Sequence, residues 1–535
     1  MVIAPMVVVW VARLVSLSYV EGPTATLLLN GTALVGRTRP EYVSYNFEFG
    51  DGGAGGTVNN LERLIYLGRQ LHPAYLRVGG NSADVTVYKL GREANCIPHN
   101  NSGPPRASGV GMAERCMSTE QLHATADFAA EVRAACPQLC PSENSASLYR
   151  HATCHSSRLQ VGAKVVFDVN EYYGYGSPGE NLGGGPRPQR PGPVNLTNAA
   201  DLLAWWRDNP SAVPDKVTLG NELPNNLSPA VTAEDFSKFA RLLKDYKATP
   251  ELLGTDAWWK NRSWLGELLA HPELPRLGAF TFHLYLLGED ISESRLLDPA
   301  ILDTAAAFAA AYNDELARGG RPGLPLWITE AGAAWGGAID TYGPTYIDGF
   351  WFLDQLGSLA RHNVIVQHRH ALAGSWGPCF IGRDPEFIPR PDFFTAVLWK
   401  RLVGTGVLQT RVLADTAPAN GLLRVYAHCH ATSPPTHVTL AVVNLANHTW
   451  RLRLPDLRGD SVDVYWLTPG STGDGLVTPD VALNDKVLAV RGSAAGPWTM
   501  PTMMPRAVAL ADKILDIPAQ RYGFVVIDTS MPACA

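Results

Sequence analysis

Between residues 40 and 400, roughly, short apolar runs alternate with longer amphipathic ones, and a polar or Gly-rich segment separates each pair. The short runs are YVSYNF (42–47), AYLRVGG (74–80), AKVVFDVN (163–170), KVTLGNE (216–222), AFTFHLY (279–285), LWITEAG (326–332) and NVIVQHR (363–369). They are rich in β-branched and aromatic residues and too short for helices, so they predict strands. The longer runs follow another rhythm. In AEDFSKFARLLKDY (233–246), Phe236, Phe239, Leu242 and Leu243 recur at three- and four-residue steps and give a helix one apolar face. With one or two weaker strands the set reaches eight. Eight strands alternating with helices predict an α/β fold, a (β/α)8 TIM barrel over residues 41–404, with its chemistry at the C-terminal ends of the strands. Past residue 405 the pattern turns to alternating strands and turns, as in LLRVYAHCHA (422–431), VDVYWLTP (462–469) and YGFVVID (522–528). That predicts an antiparallel β-sandwich over 405–535, joined by a strand from residues 21–40 that contains TATLLLN (24–30).

The first twenty residues hold an apolar run too short, and too broken by Arg13, to span a membrane. Residues 1–20 read as a signal peptide, and no later stretch approaches membrane-spanning length. The mature chain is therefore expected to lack an integral membrane segment and to be secreted, extracellular or endolysosomal. Sequons at Asn30, Asn100, Asn195, Asn226, Asn261 and Asn447 are compatible with that route. Eight cysteines form an even set, as a fully paired extracellular protein would have. Cys136, Cys140, His151, Cys154 and His155 fall close enough to suggest zinc ligands, but their spacing matches no standard finger, and disulfide bonding is the commoner use in a secreted chain.

A hydrophobic content of 46% with 50 Gly and 40 Pro describes a loop-rich globular protein. The net charge of −6 gives a field that does not draw polyanions, which excludes nucleic acid as the expected partner. The small basic clusters KNR (260–262) and WKR (399–401) read as solvated charges. Neither a P-loop nor a G-x-S-x-G element occurs.

Two predicted strands end in a glutamate, TLGNELPNN with Glu222 and WITEAGAAWGG with Glu330. A lone glutamate at a strand end is more often a cap or an ion-pair partner. Two of them converging on one barrel mouth can cleave a glycosidic bond with retention, which needs carboxyl groups about 5–5.5 Å apart. Asn221, directly before Glu222, suits a hydrogen bond to a sugar 2-hydroxyl that strengthens in the transition state. This chemistry calls for no cofactor and no metal.

These strand ends resemble the large barrel clan of retaining glycosidases, clan A. The segments AYLRVGGNSADVTVY, LGNELPNN, ITEAGAAWGG, GFWFLDQLGSLAR, PDFFTAVLWKRLVG, LRVYAHC and MPAC, in this order, resemble the heparanase family, the family 79 endo-β-glucuronidases. The resemblance implies a β-glucuronidase acting on glycans or proteoglycans that contain glucuronic acid, with Glu222 as acid/base and Glu330 as nucleophile. It also implies that Arg77 and Tyr285 hydrogen-bond the nucleophile, that Asp84 grips the sugar hydroxyls, and that Cys429 pairs with Cys534. His283 lies on a catalytic strand, where a histidine is as often a packing residue as a site group. His370 stands where relatives often carry glutamine. The loop SWGPCFIGRD (375–384) departs from the family, which usually has Tyr there; with Trp376 or Phe380 nearby, uronate recognition is left to backbone N–H groups or to side chains such as Arg383. Residues 89–118 are shorter than the excised linker of the animal enzymes and lack its basic run, so single-chain activity is expected. The competing readings are a sugar-binding homologue without catalysis and a clan A glycosidase for another sugar.

Overall fold

The computed structural model describes residues 22–48, 61–81, 83–88, 90, 115–133, 163–173, 192–222, 227–258, 262–374, 379–382, 387–415, 421–432, 436–470, 475–492, 497–529 and 531–534. The candidate leader, the Cys136-to-His155 cluster, Trp376, Arg383, the sequons at Asn100, Asn226 and Asn261, and most of 89–118 lie outside these residues.

The barrel strands, all parallel, are Val43–Glu48, Tyr75–Gly79, Lys164–Val169, Lys216–Leu219, a fifth in two pieces, then Phe280–Tyr285, Leu326–Gly332 and Val364–Arg369. The eighth strand pairs with the first, Gln367 opposite Val43. The fifth, which the hydrophobic pattern showed only weakly, consists of Glu251–Leu252 against the fourth strand and Gly254–Trp258 against the sixth. Leu253 joins the pieces and donates its N–H to the Val217 carbonyl at 2.8 Å, so the nine-stranded path is an eight-strand ring. Strands two, six and seven are buried throughout, because helices cover the outer face and side chains fill the inside; hence their nearly unbroken apolar sequence. The helix predicted from residue 233 begins earlier, as Pro229–Asp245: Ser228 caps Val231 N–H and Pro229 sits in the first turn.

The second sheet has eleven strands. Its members include Thr24–Arg37, which pairs antiparallel with Val403–Ala414 and also parallel with Trp450–Arg453. That last pairing corrects the purely antiparallel expectation: a strand arriving from ahead of the barrel enters the sheet beside a strand that runs the same way.

Every residue of the helix Asp348–Leu359 is buried between barrel and sheet. Its charges are matched there. Arg369, at the end of the eighth strand, bonds Asp348 and Asp392, while Arg424 of the sheet bonds Asp354 and, at 2.6 Å, Asp303. Cys429 and Cys534 are disulfide-bonded across a separation of 105 residues. One expectation about charge fails at Lys400. Instead of being solvated, its ammonium donates to the carbonyls of Pro40, at 3.0 Å, and Pro73, and burial pushes its pKa down to about 7. Among the described residues no helix is long and apolar enough to cross a membrane.

Candidate active site

The sequence LGNE ends the fourth strand in a turn that ordinary residues resist: Gly220 has φ +74° and Glu222 itself φ +59°. Gly tolerates the left-handed region freely; a glutamate is held there by its surroundings. The Glu222 N–H is tied to the Asp256 carbonyl at 3.0 Å. Its side chain, 22% exposed, meets His283 Nδ1 at 2.9 Å. Glu330 lies within the seventh strand, where the pairing to both neighbouring strands shifts register after Ile328, and it is only 8% exposed. A carboxylate oxygen of Glu222 and one of Glu330 lie within 4.8 Å of each other, with His283 inside the same compass.

Glu330 is surrounded by donors. Arg77 Nη1 donates to Oε2 at 3.1 Å, Tyr285 Oη to Oε1 at 2.5 Å, and His370 Nδ1 lies 2.9 Å from both Oε1 and the Tyr285 oxygen. An ionised carboxylate only accepts, so the Tyr285 proton points at Glu330 and His370 Nδ1 carries a hydrogen. Burial pushes the Glu330 pKa up, but His370, His283 and Arg77 outweigh it and hold the carboxyl well below the ordinary range.

Beneath the glutamates lies a layer of charge. Arg77, 1% exposed, turns Nη2 to Asp168 (3.1 Å), Asn221 (2.7 Å) and Asp256 (3.0 Å). Burial lowers its pKa, yet Asp256, Asp168 and Glu330 more than restore it. Burial dominates at Asp168 and pushes its pKa well up despite Arg77. Gly79 makes room for it: a Cβ there would stand 2.6 Å from the Asp168 Cβ. At Asp256 burial is overcome by Arg77 and His283, with Thr281 and Thr329 as donors, and the pKa is lowered.

The other candidates are placed as follows. The Asn221 side chain accepts from Arg77 and donates to Asn81 at 3.0 Å. Asp84, 2% exposed, receives the Asn221 N–H at 3.1 and 3.3 Å, so its carboxylate holds the turn that carries Glu222. Phe380 is fully buried and stands edge-on to Phe352, 5.6 Å between centroids. Its ring packs against the helix Asp348–Leu359, which carries Phe352. Asp168, Asp256 and Asn81 were not picked out from the sequence. The available signal was an aspartate interrupting an apolar run, in VVFDV and LLGTDAW.

Glu222, His283 and Glu330 are also the one grouping among the described residues that could ligate a cation. A cation there would compete with the Arg77 guanidinium for Glu330, which favours carboxylate chemistry over metal binding.

Comparison with known proteins narrows the reading. Residues 141–357 match the family model for the glycosyl hydrolase family 79 N-terminal domain. Heparanase of Gallus gallus is 36% identical over 252 residues, 46% of each chain. Baicalin-β-D-glucuronidase of Scutellaria baicalensis is 26% identical over 503 residues, 89% of this chain and 84% of that one. Over residues 141–357 the chain carries a family 79 domain, and it is similar to heparanase-like glycosidases. The match spans about half the length of the chicken relative. Among solved structures, a 4-O-α-L-rhamnosyl-β-D-glucuronidase from Fusarium oxysporum superposes on 94% of this chain, with a TM-score of 0.62 at 13% identity. An α-L-arabinofuranosidase from Thermotoga maritima gives 0.61, also at 13%. At such identities the likeness concerns the fold: barrel and sheet together.

Proposed function

We propose that the protein is a retaining β-glucuronidase acting on a glycan or proteoglycan that contains glucuronic acid, with Glu330 as nucleophile and Glu222 as acid/base. The observation that carries this reading is the approach of the two carboxylates within 4.8 Å. Retaining enzymes need about 5–5.5 Å, whereas inverting ones need about 6.5–9.5 Å to admit a water. The environments divide the roles. Glu330 sits among three donors that favour its anion, as an attacking group requires, while Glu222 is the more open of the two. In the first step a Glu330 oxygen bonds the anomeric carbon as the glycosidic C–O bond breaks, and the leaving oxygen takes the proton of Glu222. In the second, Glu222 takes a proton from water, the water oxygen bonds the anomeric carbon, and Glu330 is released. His283, 2.9 Å from Glu222, orients that carboxyl.

The choice of glucuronide rests on the family 79 domain and on relatives named heparanase and baicalin-β-D-glucuronidase. A secreted or endolysosomal location goes with this reading, supported by the Cys429–Cys534 disulfide and the sequons. The test is a panel of aryl β-glucuronide, β-glucoside, β-xyloside and α-arabinofuranoside. We expect turnover of the glucuronide, loss of about a thousandfold or more in Glu330→Gln, and azide rescue of Glu330→Gly as an anomer-inverted glycosyl azide. In Glu222→Ala, activated aryl leaving groups should suffer far less than natural sugars, since they need no protonation. Turnover of another sugar alone would overturn the substrate, and an active Glu330→Gln would overturn the roles. A binding protein without catalysis would turn over nothing.

A further inference from the structure

We propose that Asp256, in the interrupted fifth strand, is the positioning residue that fixes the two glutamates relative to each other and sets how Arg77 is shared between them and the charges below. This rests on the catalytic reading of Glu222 and Glu330. The geometry is that of a hub. The Asp256 carbonyl accepts from Glu222 N–H at 3.0 Å, which holds the acid/base turn. Its Oδ1 accepts from Thr329 Oγ1 at 2.6 Å, one residue before Glu330. Its Oδ2 accepts from Arg77 Nη2 at 3.0 Å, while Nη1 of the same guanidinium serves Glu330. Its N–H donates to Thr281 Oγ1 at 2.8 Å, two residues before His283. The second, sixth and seventh strands and the turn after the fourth therefore meet at one fully buried residue. Asp256 itself takes φ +48°, a conformation that is unfavourable in a non-glycine residue and persists where the surroundings over-determine it.

The titratable and charged groups around it are Arg77, Asp168, Glu222, His283, Glu330 and His368. Asp256 takes a share of the positive charge of Arg77 that would otherwise act more fully on Glu330. Without it Glu330 becomes a weaker base and a poorer nucleophile.

Asp256→Asn is the discriminating variant, since asparagine keeps the shape and tolerates the positive φ. Thr329→Val cuts only the link at Oδ1, and Thr329→Ser restores it. All are assayed with whichever aryl glycoside the wild type turns over fastest, at active-site concentrations fixed by a covalent 2-fluoroglycoside of that sugar. A different sugar would thus sink the glucuronide reading without touching this one. We expect Asp256→Asn to lose tenfold or more in kcat with KM within a few-fold, and its acid limb to move to lower pH. Thr329→Val should lose kcat in the same way, and Thr329→Ser should recover it. A merely packing role would lower the folded fraction and leave kcat per active site and the pH limb in place. Wild-type kcat per site in Asp256→Asn and Thr329→Val overturns the proposal, as does wild-type behaviour of Thr329→Val if Asp256→Asn fails to fold. Were no glycoside turned over, NMR titration of the Glu330 carboxyl would decide: it should fall further in Asp256→Asn, and an unmoved value overturns the proposal.

Discussion

A carboxylate that attacks carbon has to stay ionised where water is scarce, and at Glu330 burial works against that. His370, His283 and Arg77 reverse the balance, and Tyr285 donates a further hydrogen bond to the carboxylate. A hydrogen bond to a charged group contributes about 1.5–3 kcal/mol, so Tyr285→Phe should cost roughly 10- to 150-fold in kcat on an aryl glycoside, with KM little changed. Wild-type kcat in that variant would mean the phenol does not act on the nucleophile. The same balance has a sign in stability. The folded pKa of Glu330 lies below its unfolded value, with burial opposing and His370, His283 and Arg77 prevailing. Its contribution is therefore fully present above the ordinary glutamate value of about 4.3 and is lost as pH falls through the folded value. Denaturant unfolding from about pH 5 to about pH 2 should show wild type losing stability faster than Glu330→Gln. Parallel losses would contradict the donor cage.

At the scale of elements, the helix Asp348–Leu359 joins barrel to sheet and lacks a solvated face. Two glycines let the sheet come close: a Cβ on Gly349 would stand 2.1 Å from the Tyr522 hydroxyl, and one on Gly357 would stand 2.2 Å from the Tyr426 ring. In an exposed helix Gly→Ala stabilises by about 1 kcal/mol. Here overpacking costs about 1–3 kcal/mol and should reverse the sign, so Gly349→Ala and Gly357→Ala should each lower the denaturation midpoint. A raised midpoint in either would show that the sheet can yield. The element least visible in the sequence was the fifth strand. Its apolar run is broken by Gly254 and by Asp256 at positive φ, so neither alternation nor length marks it. The helix at 229–245 was visible because its apolar spacing is regular, though its start was hidden in the cap at Ser228.

At the scale of the molecule, the strand Thr24–Arg37 and the C-terminal segment both belong to the second sheet or are tied to it. Thr24–Arg37 lies against Val403–Ala414, and the disulfide from Cys429 to Cys534 ties down the tail. Cross-linking a loop of about a hundred residues stabilises by about 4–5 kcal/mol in the chain-entropy model. Cys534→Ser should lower Tm by several degrees with kcat nearly unchanged, because no group of the site lies on that tail. A Tm equal to wild type would show that the bridge constrains nothing the sheet does not already hold.

The sequence by itself determined the rhythm of strand and helix, the change of rhythm after the barrel, and the two glutamates at strand ends. These follow from spacing along the chain, and burial on one face or two leaves its mark locally. Only the tertiary structure decided the rest: that the two carboxylates approach within 4.8 Å, that Asp84 turns to the Asn221 backbone, that Phe380 packs edge-on to Phe352, and that Arg77 is divided among three carboxylates and an amide. Residues far apart in the chain become neighbours only when the barrel closes. The charge each side chain carries there is set by the groups it then meets.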